Sequence, residues 1–358
     1  MATMAQAIRM ALHYGEENLG LTNVFGQDVG APLGGVFTAT QGLKTAWNTP
    51  LDERGIIGAA MGLAFAGQRC VAEIQFCDYI FNSIDLLKLA GNTCWASYGD
   101  WNLPMTIMTP VGSGIRGSIY HSHSFDAMMT HIPGWKIVIP SNPKDAYGLM
   151  ISCLRELNPT MLLLPKALMY QLGDEAIPGE PPLTPEGNRE LKNMIDKPVQ
   201  KEAAQNWQPQ WPSGLTDYSV NIGEAKIVHS GTDITVVSYG RTLPLCVAAA
   251  KQLQNEGIQA EVIDLRTLWP YDWKMVAESI SKTKCVIYVN EDTEVTNFGE
   301  HLIRRTVDEF FYQLAAPPRL LAGAFAPGIG LAHSLEMASV PQLNSIVTAI
   351  QSVVAAKI

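Results

Sequence analysis

Basic residues are scarce in this chain: 25 Lys and Arg stand against 34 Asp and Glu, a formal charge of -9 with a pI near 5.3. A partner of nucleic acid needs a cationic face to neutralise phosphates, so nucleic acid is excluded as the expected partner, and an anionic membrane surface with it. No apolar run approaches the roughly 20 residues needed to span a bilayer. Residues 1–20 carry apolar side chains at helical spacing, but Glu16 and Glu17 follow early and no small-residue cleavage site closes an apolar stretch, so the start does not read as a signal peptide. The expectation is a soluble protein of the bacterial cytoplasm, or of the mitochondrial matrix after removal of a transit peptide. CxxC pairs are lacking too. The six cysteines, Cys70, Cys77, Cys94, Cys153, Cys246 and Cys285, are scattered through apolar segments, which excludes a disulfide scaffold and predicts reduced, buried thiols. His121-Ser122-His123 sets two imidazoles on one face of a strand, yet no third ligand stands nearby, so no metal site is expected. No strand candidate is followed by a GxGxxG turn with an acid at the proper distance, which argues against a dinucleotide-dependent oxidoreductase.

What the chain has is apolar material: 358 residues, 47% hydrophobic and 16% charged, enough to fill the cores of two domains. Strand patterns at 21–25, 71–76, 105–108, 136–139 and 160–164 alternate with helices that begin near Glu53, Tyr79, Phe125 and Pro143. This alternation predicts an α/β domain over 1–172, a mainly parallel sheet covered by helices. Asn142-Pro143-Lys144-Asp145 is a strong helix opening, with proline in the first turn and an acid close behind. Between 173 and 230, prolines at 178, 181, 182, 185, 198, 209 and 212 punctuate a polar stretch. It reads as an interdomain linker with a short helix at 185–195. A second, smaller α/β domain is expected over 231–358, with strands at 233–239, 260–265 and 285–290 and helices at 243–256, 273–281, 298–314 and 343–354.

The chemistry is sought between residues 49 and 81. Thr49-Pro50-Leu51-Asp52-Glu53 opens a helix rich in glycine (Gly55, Gly58, Gly62, with Gly67 beyond), and Glu73-Ile74-Gln75-Phe76-Cys77-Asp78-Tyr79-Ile80-Phe81 follows one strand later. A carboxylate beside small side chains can lie against a flat ligand, because the backbone approaches closely. Alone, each residue has an ordinary reading. An acid at a helix start caps or complements the macrodipole, Gln75 and Tyr79 are common strand-end and helix-start types, and a loop histidine such as His121 usually serves a hydrogen bond.

Several segments in order carry more. Phe25-Gly26-Gln27-Asp28-Val29-Gly30, Gly34-Gly35-Val36-Phe37, Thr49 to Gly55, Glu73 to Phe81, Tyr120-His121-Ser122-His123-Ser124, Pro133-Gly134-Trp135-Lys136-Ile137-Val138-Ile139-Pro140 and Asp264-Leu265-Arg266-Thr267-Leu268 together resemble the β subunit of the thiamine-diphosphate-dependent 2-oxo acid dehydrogenases, the E1 component of lipoyl-linked complexes. The segment at 73–81 resembles the branched-chain (2-oxoisovalerate) type. The resemblance implies a transketolase-like pyrimidine-binding domain followed by a smaller transketolase C-terminal α/β domain, and oxidative decarboxylation of branched-chain 2-oxo acids with acyl transfer to the lipoyl group of the E2 acyltransferase. Pyruvate or acetoin is the alternative substrate. A non-catalytic interaction module on the same fold is the alternative of another class, supported by Gln27 and Thr38, where the family usually has glutamate and arginine, and by the long linker.

The resemblance also implies roles. Glu53 matches the glutamate that hydrogen-bonds the pyrimidine ring and promotes its imino tautomer; Gln75 and Tyr79 match the pyrimidine side of the pocket. His121 matches the histidine of the active-site channel, where an imidazole can move a proton during acyl transfer. His123 stands where the family usually has glutamine, and two adjacent imidazoles disfavour double protonation. A complete site also needs a Mg²⁺-diphosphate anchor, Gly-Asp-Gly with a later Asn-Asn; this chain has Gly99-Asp100-Trp101 and no Asn-Asn downstream. The implied arrangement is half a site, with the diphosphate half supplied by an α subunit in an α2β2 heterotetramer. A potassium ion held by backbone carbonyls belongs to the family's properties and has no residues assigned. Glu291, Asp292 and Glu294 are the acidic residues available for docking of E2.

Overall fold

A computed structural model describes residues 1–204 and 206–357. It divides into two units, the first made of Met1–Pro110, Ile132–Leu164 and Leu168–Asn221, the second of Val111–His131, Pro165–Ala167 and Ile222–Ile358.

In the first unit, strands β1 (Leu21–Gly26), β2 (Ala46–Asn48), β3 (Arg69–Glu73), β4 (Met105–Val111), β5 (Lys136–Val138) and β6 (Thr160–Pro165) lie in the order β5-β6-β4-β3-β1-β2. The pairs β1–β2, β1–β3, β3–β4 and β5–β6 are all parallel. β4 and β6 are buried at every position, as strands covered on both faces must be. The helices are α1 (Met4–Asn18), α2 (Glu53–Phe65), α3 (Ile84–Ala96), α5 (Pro143–Arg155), α6 (Pro185–Ile195) and α7 (Lys201–Ala204), with α4 (Asp126–Thr130) in the second unit. Local chemistry starts them where it should. Thr3 and Gln6 form a capping box on α1, and Asn142 caps α5 ahead of Pro143.

Residues 173–221, expected as linker, fold with the first unit. Proline-punctuated chain offers few ladder donors but keeps its carbonyls, and side chains of the helices bind them. The Tyr147 hydroxyl donates to Thr216 O at 2.6 Å, Ser152 Oγ to Val220 O at 2.6 Å, and Arg9 Nη1 to Ile195 O at 2.6 Å. The helix expected at 185–195 is α6, capped by Thr184.

The second unit contains β7 (Lys226–His229), β8 (Ile234–Ser238), β9 (Ala260–Asp264), β10 (Thr267–Trp269), β11 (Val286–Thr293) and β12 (Arg319–Gly323), with helices α8 (Thr242–Gln254), α9 (Trp273–Thr283), α10 (Phe298–Phe310), α11 (His333–Ser339) and α12 (Leu343–Ala355). Five of the strands form a sheet in the order β12-β11-β8-β9-β7, parallel except for the β7 edge. Alternate side chains go to opposite faces. Ile234, Val236, Ile287 and Val289 join Leu253 of α8 and Ile350 of α12 in one apolar layer. On the other face Thr235 bonds Ser279 and Thr283 of α9, and Tyr288 bonds Thr306 of α10. All six cysteines are free, and burial pushes the thiols of Cys70, Cys153 and Cys246 up to about 12, which keeps them protonated and unreactive.

Candidate functional site

The carboxyl ends of β1 and β3 open the first part of the site. Beyond β1 the chain makes a tight return in which Asp28 has φ 60° and its carbonyl accepts from Gly34 N at 3.2 Å and Gly35 N at 2.7 Å. Gly35 is required there: φ is 68°, and a Cβ would stand 2.6 Å from the buried Glu73 carboxylate. The same return brings the Asp28 carboxylate to Gln75, whose Nε2 donates to it at 3.3 Å. An amide held through its N–H keeps its carbonyl oxygen to offer a ligand. The short 3-10 helix Cys77–Ser83 then carries Tyr79, with the Phe76 ring edge-on at 6.0 Å.

Glu53 is the first residue of α2, placed by Asp52, which accepts from Gly55 N at 3.0 Å. Arg54 turns away to Asp85. The half-exposed Glu53 carboxylate is approached by Asn82 Nδ2 at 3.5 Å, a distance too long to use up an acceptor. Along α2 a Cβ on Gly62 would meet nothing within 4 Å, and one on Gly58 only Leu86 at 3.8 Å, so the backbone is open to close approach. The sequence-predicted Glu53, Gln75 and Tyr79 thus all lie in the first unit. An acceptor carboxylate, an amide with its carbonyl available and a phenol suit an aminopyrimidine, which has ring nitrogens and an amino group to match. Gly99-Asp100-Trp101 is an exposed turn after α3, with Trp101 edge-on to Phe65 at 6.2 Å.

His121 falls in the second unit, on the segment 111–131. Its Nδ1 lies 3.3 Å from Gly117 O, and His123 stacks on Phe125 at 5.3 Å. Carboxylates hold both ends of this segment. Glu291 accepts from Ser113 N at 3.1 Å and Ser113 Oγ at 3.0 Å; Glu336 Oε1 accepts from Gly114 N at 2.8 Å and Arg116 N at 3.0 Å; Asp292 Oδ2 accepts from Ala127 N at 3.1 Å. Glu291 is also paired with Arg241 at 2.9 Å. This corrects the expectation that Glu291, Asp292 and Glu294 are all available for docking: Glu291 is held by Ser113 and Arg241, Asp292 is buried against Ala127 N, and of the three only Glu294 is exposed. Burial raises Asp292 to about 6, against the backbone N–H groups that favour its charge, and also raises the fully buried Asp126 well above the ordinary aspartate range, with Asp292 as its neighbouring charge. Asp28 lay within a quoted segment but its link to Gln75 depends on the left-handed turn; Asp126, Arg241 and Glu336 left no signal, because ordinary polar stretches surround them.

Residues 1–171 match the transketolase pyrimidine-binding domain family, and residues 223–346 the transketolase C-terminal domain family. The 2-oxoisovalerate dehydrogenase subunit beta of Pseudomonas aeruginosa is 36% identical, over 95% of this chain and 91% of that protein. That of Bacillus subtilis is 33% identical over 92% and 91%. The chain belongs to the 2-oxo acid dehydrogenase E1 β-subunit family. The pyruvate dehydrogenase E1 component subunit beta of Bacillus subtilis is a more distant member, 32% identical over 88% of this chain and 87% of its own. Members of this family are enzyme subunits that use thiamine diphosphate and act with an α partner. A solved split-gene transketolase, described as an inactive β4 tetramer, has the same fold, with a TM-score of 0.70 at 18% identity over 100% of both chains. Among the described residues, no helix is long and apolar enough to cross a membrane.

Proposed function

We propose that this chain is the β subunit of a branched-chain 2-oxo acid dehydrogenase E1 component. It acts in the bacterial cytoplasm as an α2β2 assembly that decarboxylates 2-oxoisovalerate-like acids and passes the acyl group to the lipoyl arm of E2. The observation that supports it most is that Glu53, Gln75 and Tyr79 all belong to the first unit, in a chain related over nearly its full length to 2-oxoisovalerate dehydrogenase β subunits.

When bound, thiamine diphosphate supplies a carbon nucleophile and an electron sink for loss of carbon dioxide. Glu53 holds a ring nitrogen of the pyrimidine through its half-exposed carboxylate and lowers the cost of moving a proton at the amino group. Gln75, its Nε2 held by Asp28, would present its carbonyl oxygen to the amino group of the pyrimidine. Tyr79 offers a face and a polar tip beside them. His121 binds and moves a proton on the acyl acceptor's side. The α partner brings the acidic residues for Mg²⁺ and the diphosphate. Pyruvate as substrate is the second reading, favoured by the pyruvate dehydrogenase β subunits among the relatives.

The test is decarboxylation by the chain coexpressed with its α partner, with branched-chain 2-oxo acids beside pyruvate and an artificial electron acceptor, for wild type and Glu53→Gln. Turnover favouring branched acids and reduced about 10²- to 10⁴-fold by the substitution is expected. A folded, cofactor-loaded assembly inert to every 2-oxo acid sinks the reading in favour of an interaction module.

A further inference from the structure

The segment that carries His121 is anchored by carboxylates at both ends, and the far anchor differs from the near one. At the near end Glu291 has Arg241 at 2.9 Å, so its charge is balanced. Gly112, at φ 82°, has no room for a Cβ because the Glu291 carboxylate occupies that position. At the far end the Asp292 carboxylate accepts from backbone donors, Ala127 N at 3.1 Å and Thr293 N at 2.8 Å. Beside it lies the Asp126 carboxyl, 0% exposed, taking Ser124 Oγ at 2.6 Å.

We propose that Asp126 keeps a proton beside the Asp292 carboxylate and that the two form a latch on the His121-bearing segment, closed while the proton is held and loosened when it leaves. Atom by atom, the geometry says which group keeps it. Asp292, with a backbone N–H donor on each carboxylate oxygen, is built to be the anion. Asp126 has a single hydroxyl donor, at Oδ1, and its Oδ2 is buried with no hydrogen-bond partner. A second anion there would be buried against the first.

The groups facing Asp126 are few. Asp292 and Glu291 come from β11, and Tyr239 follows β8; burial and the neighbouring acids hold Tyr239 well above the ordinary range, so it stays a neutral phenol. Glu291 is committed to Arg241 and Ser113. On the other side of α4, His131 and His301 line a cavity with Ala127, Thr130 and Trp269, and His301 is engaged by Tyr271 at 2.8 Å. None of these supplies a cation to the pair. The sign follows: both folded-state values lie above the ordinary aspartate range, so the latch's stabilisation is complete below that range and is lost as pH rises through the folded values.

The test uses the intact assembly as wild type, D126N and D292N. Hydrogen exchange of residues 118–131, corrected for the chemical exchange rate, is followed from about pH 6 to about pH 9. Wild-type protection should fall by up to about tenfold per pH unit while the proton leaves. D126N, an isostere of the protonated acid, should stay protected and flat, and D292N should be flat but less protected. Infrared difference spectra at neutral pH should show a protonated carboxylic acid in the wild type that D126N lacks. The same pH dependence in D126N as in the wild type, or no protonated carboxyl in the wild type, overturns the latch. If D126N fails to fold, the wild-type spectrum decides alone.

Discussion

Arg9 and Asp196 meet at 2.8 Å across 187 positions of chain, and the guanidinium is only 1% exposed. Its other donors reach Thr38 O at 2.9 Å, Thr38 Oγ1 at 2.8 Å and Ile195 O at 2.6 Å. Thr38 is itself left-handed, φ 64°, next to Phe37 at φ 60°, a conformation that costs free energy and persists only when surrounding groups fix it. One buried cation therefore ties α1, the strained turn after Gly35 and the end of α6 together. Burial lowers the Arg9 pKa and Asp196 opposes the shift, so the charge is retained.

Arg9→Ala leaves Asp196 and two carbonyls without their donor and should destabilise the first unit by roughly 3 kcal/mol, read as a lower urea midpoint at unchanged slope. Arg9→Lys should recover only part of this. A single ammonium cannot span Thr38 and Asp196 with the fork that the guanidinium provides. Equal stability of all three proteins would show that the hub contributes nothing.

The bond from Gln75 Nε2 to Asp28 makes a prediction about cofactor binding, conditional on the proposed site. Asp28→Ala frees the Gln75 amide to rotate, so part of the binding energy is spent in fixing it again. Loss of one such hydrogen bond is worth about 1 kcal/mol, and thiamine diphosphate should bind about fivefold more weakly to the assembly by calorimetry. Asp28→Asn keeps an acceptor oxygen and should bind more nearly like wild type. Unchanged affinity in Asp28→Ala would remove Asp28 from the site.

The elements most readable in the sequence were those with strong local signals. Proline at the first turn and asparagine before it marked α5; alternation of apolar runs with capped helices marked the parallel sheet, and α6 fell at 185–195. Short edge strands such as β2 and β7 were not anticipated, because three or four half-exposed residues carry no period. Glu53 and Gln75 were legible only as members of an ordered set of segments. Arg9 was not legible at all: on an apolar helix face it looks like an intrusion, and its partners lie 29 and 187 positions away. Glu291 and Asp292 looked like surface acids since nothing in the sequence says that backbone donors from residues 113 and 127 await them.

The two faces of the second sheet should respond differently to substitution. Leu253→Ala empties a fully buried position in the layer of α8, α12 and the sheet and should cost about 2–5 kcal/mol. Thr235→Val removes a hydroxyl bonded to Ser279 at 2.6 Å and Thr283 at 2.8 Å, but nearly keeps the volume. Its cost should be about 1–3 kcal/mol, the penalty of leaving the buried Ser279 hydroxyl unpaired, while Thr283 keeps Cys285 O at 3.0 Å. Restoring an apolar partner with Ser279→Ala in the same chain should recover much of that loss, whereas nothing short of refilling the cavity rescues Leu253→Ala. Thermal unfolding of the three variants ranks them, and a rescued Thr235→Val no better than the single variant would contradict the unpaired-hydroxyl account.

Tyr271 and His301 set the acid limb of the second unit's stability. Arg305 Nη1 donates to the Tyr271 oxygen at 2.9 Å, which leaves the Tyr271 hydroxyl proton to go to His301 Nε2 at 2.8 Å. That bond requires a neutral imidazole with Nε2 bare. Burial first, then Arg304 and Arg305, hold the His301 pKa below its ordinary value, in keeping with the geometry. A depressed folded-state pKa gives stability that is present above the unfolded value, about 6.5, and is lost as pH falls through the folded value. This is opposite in sign to the Asp126–Asp292 pair, which loses its contribution as pH rises. His301→Gln can still accept from Tyr271 through its amide oxygen without gaining a charge. The difference in Tm between His301→Gln and wild type should therefore be constant above about pH 6.5 and should shift in favour of the variant as pH drops below it. A difference that stays level through the acid limb would show that His301 takes up no proton at folding cost, and that Tyr271 holds it for packing alone.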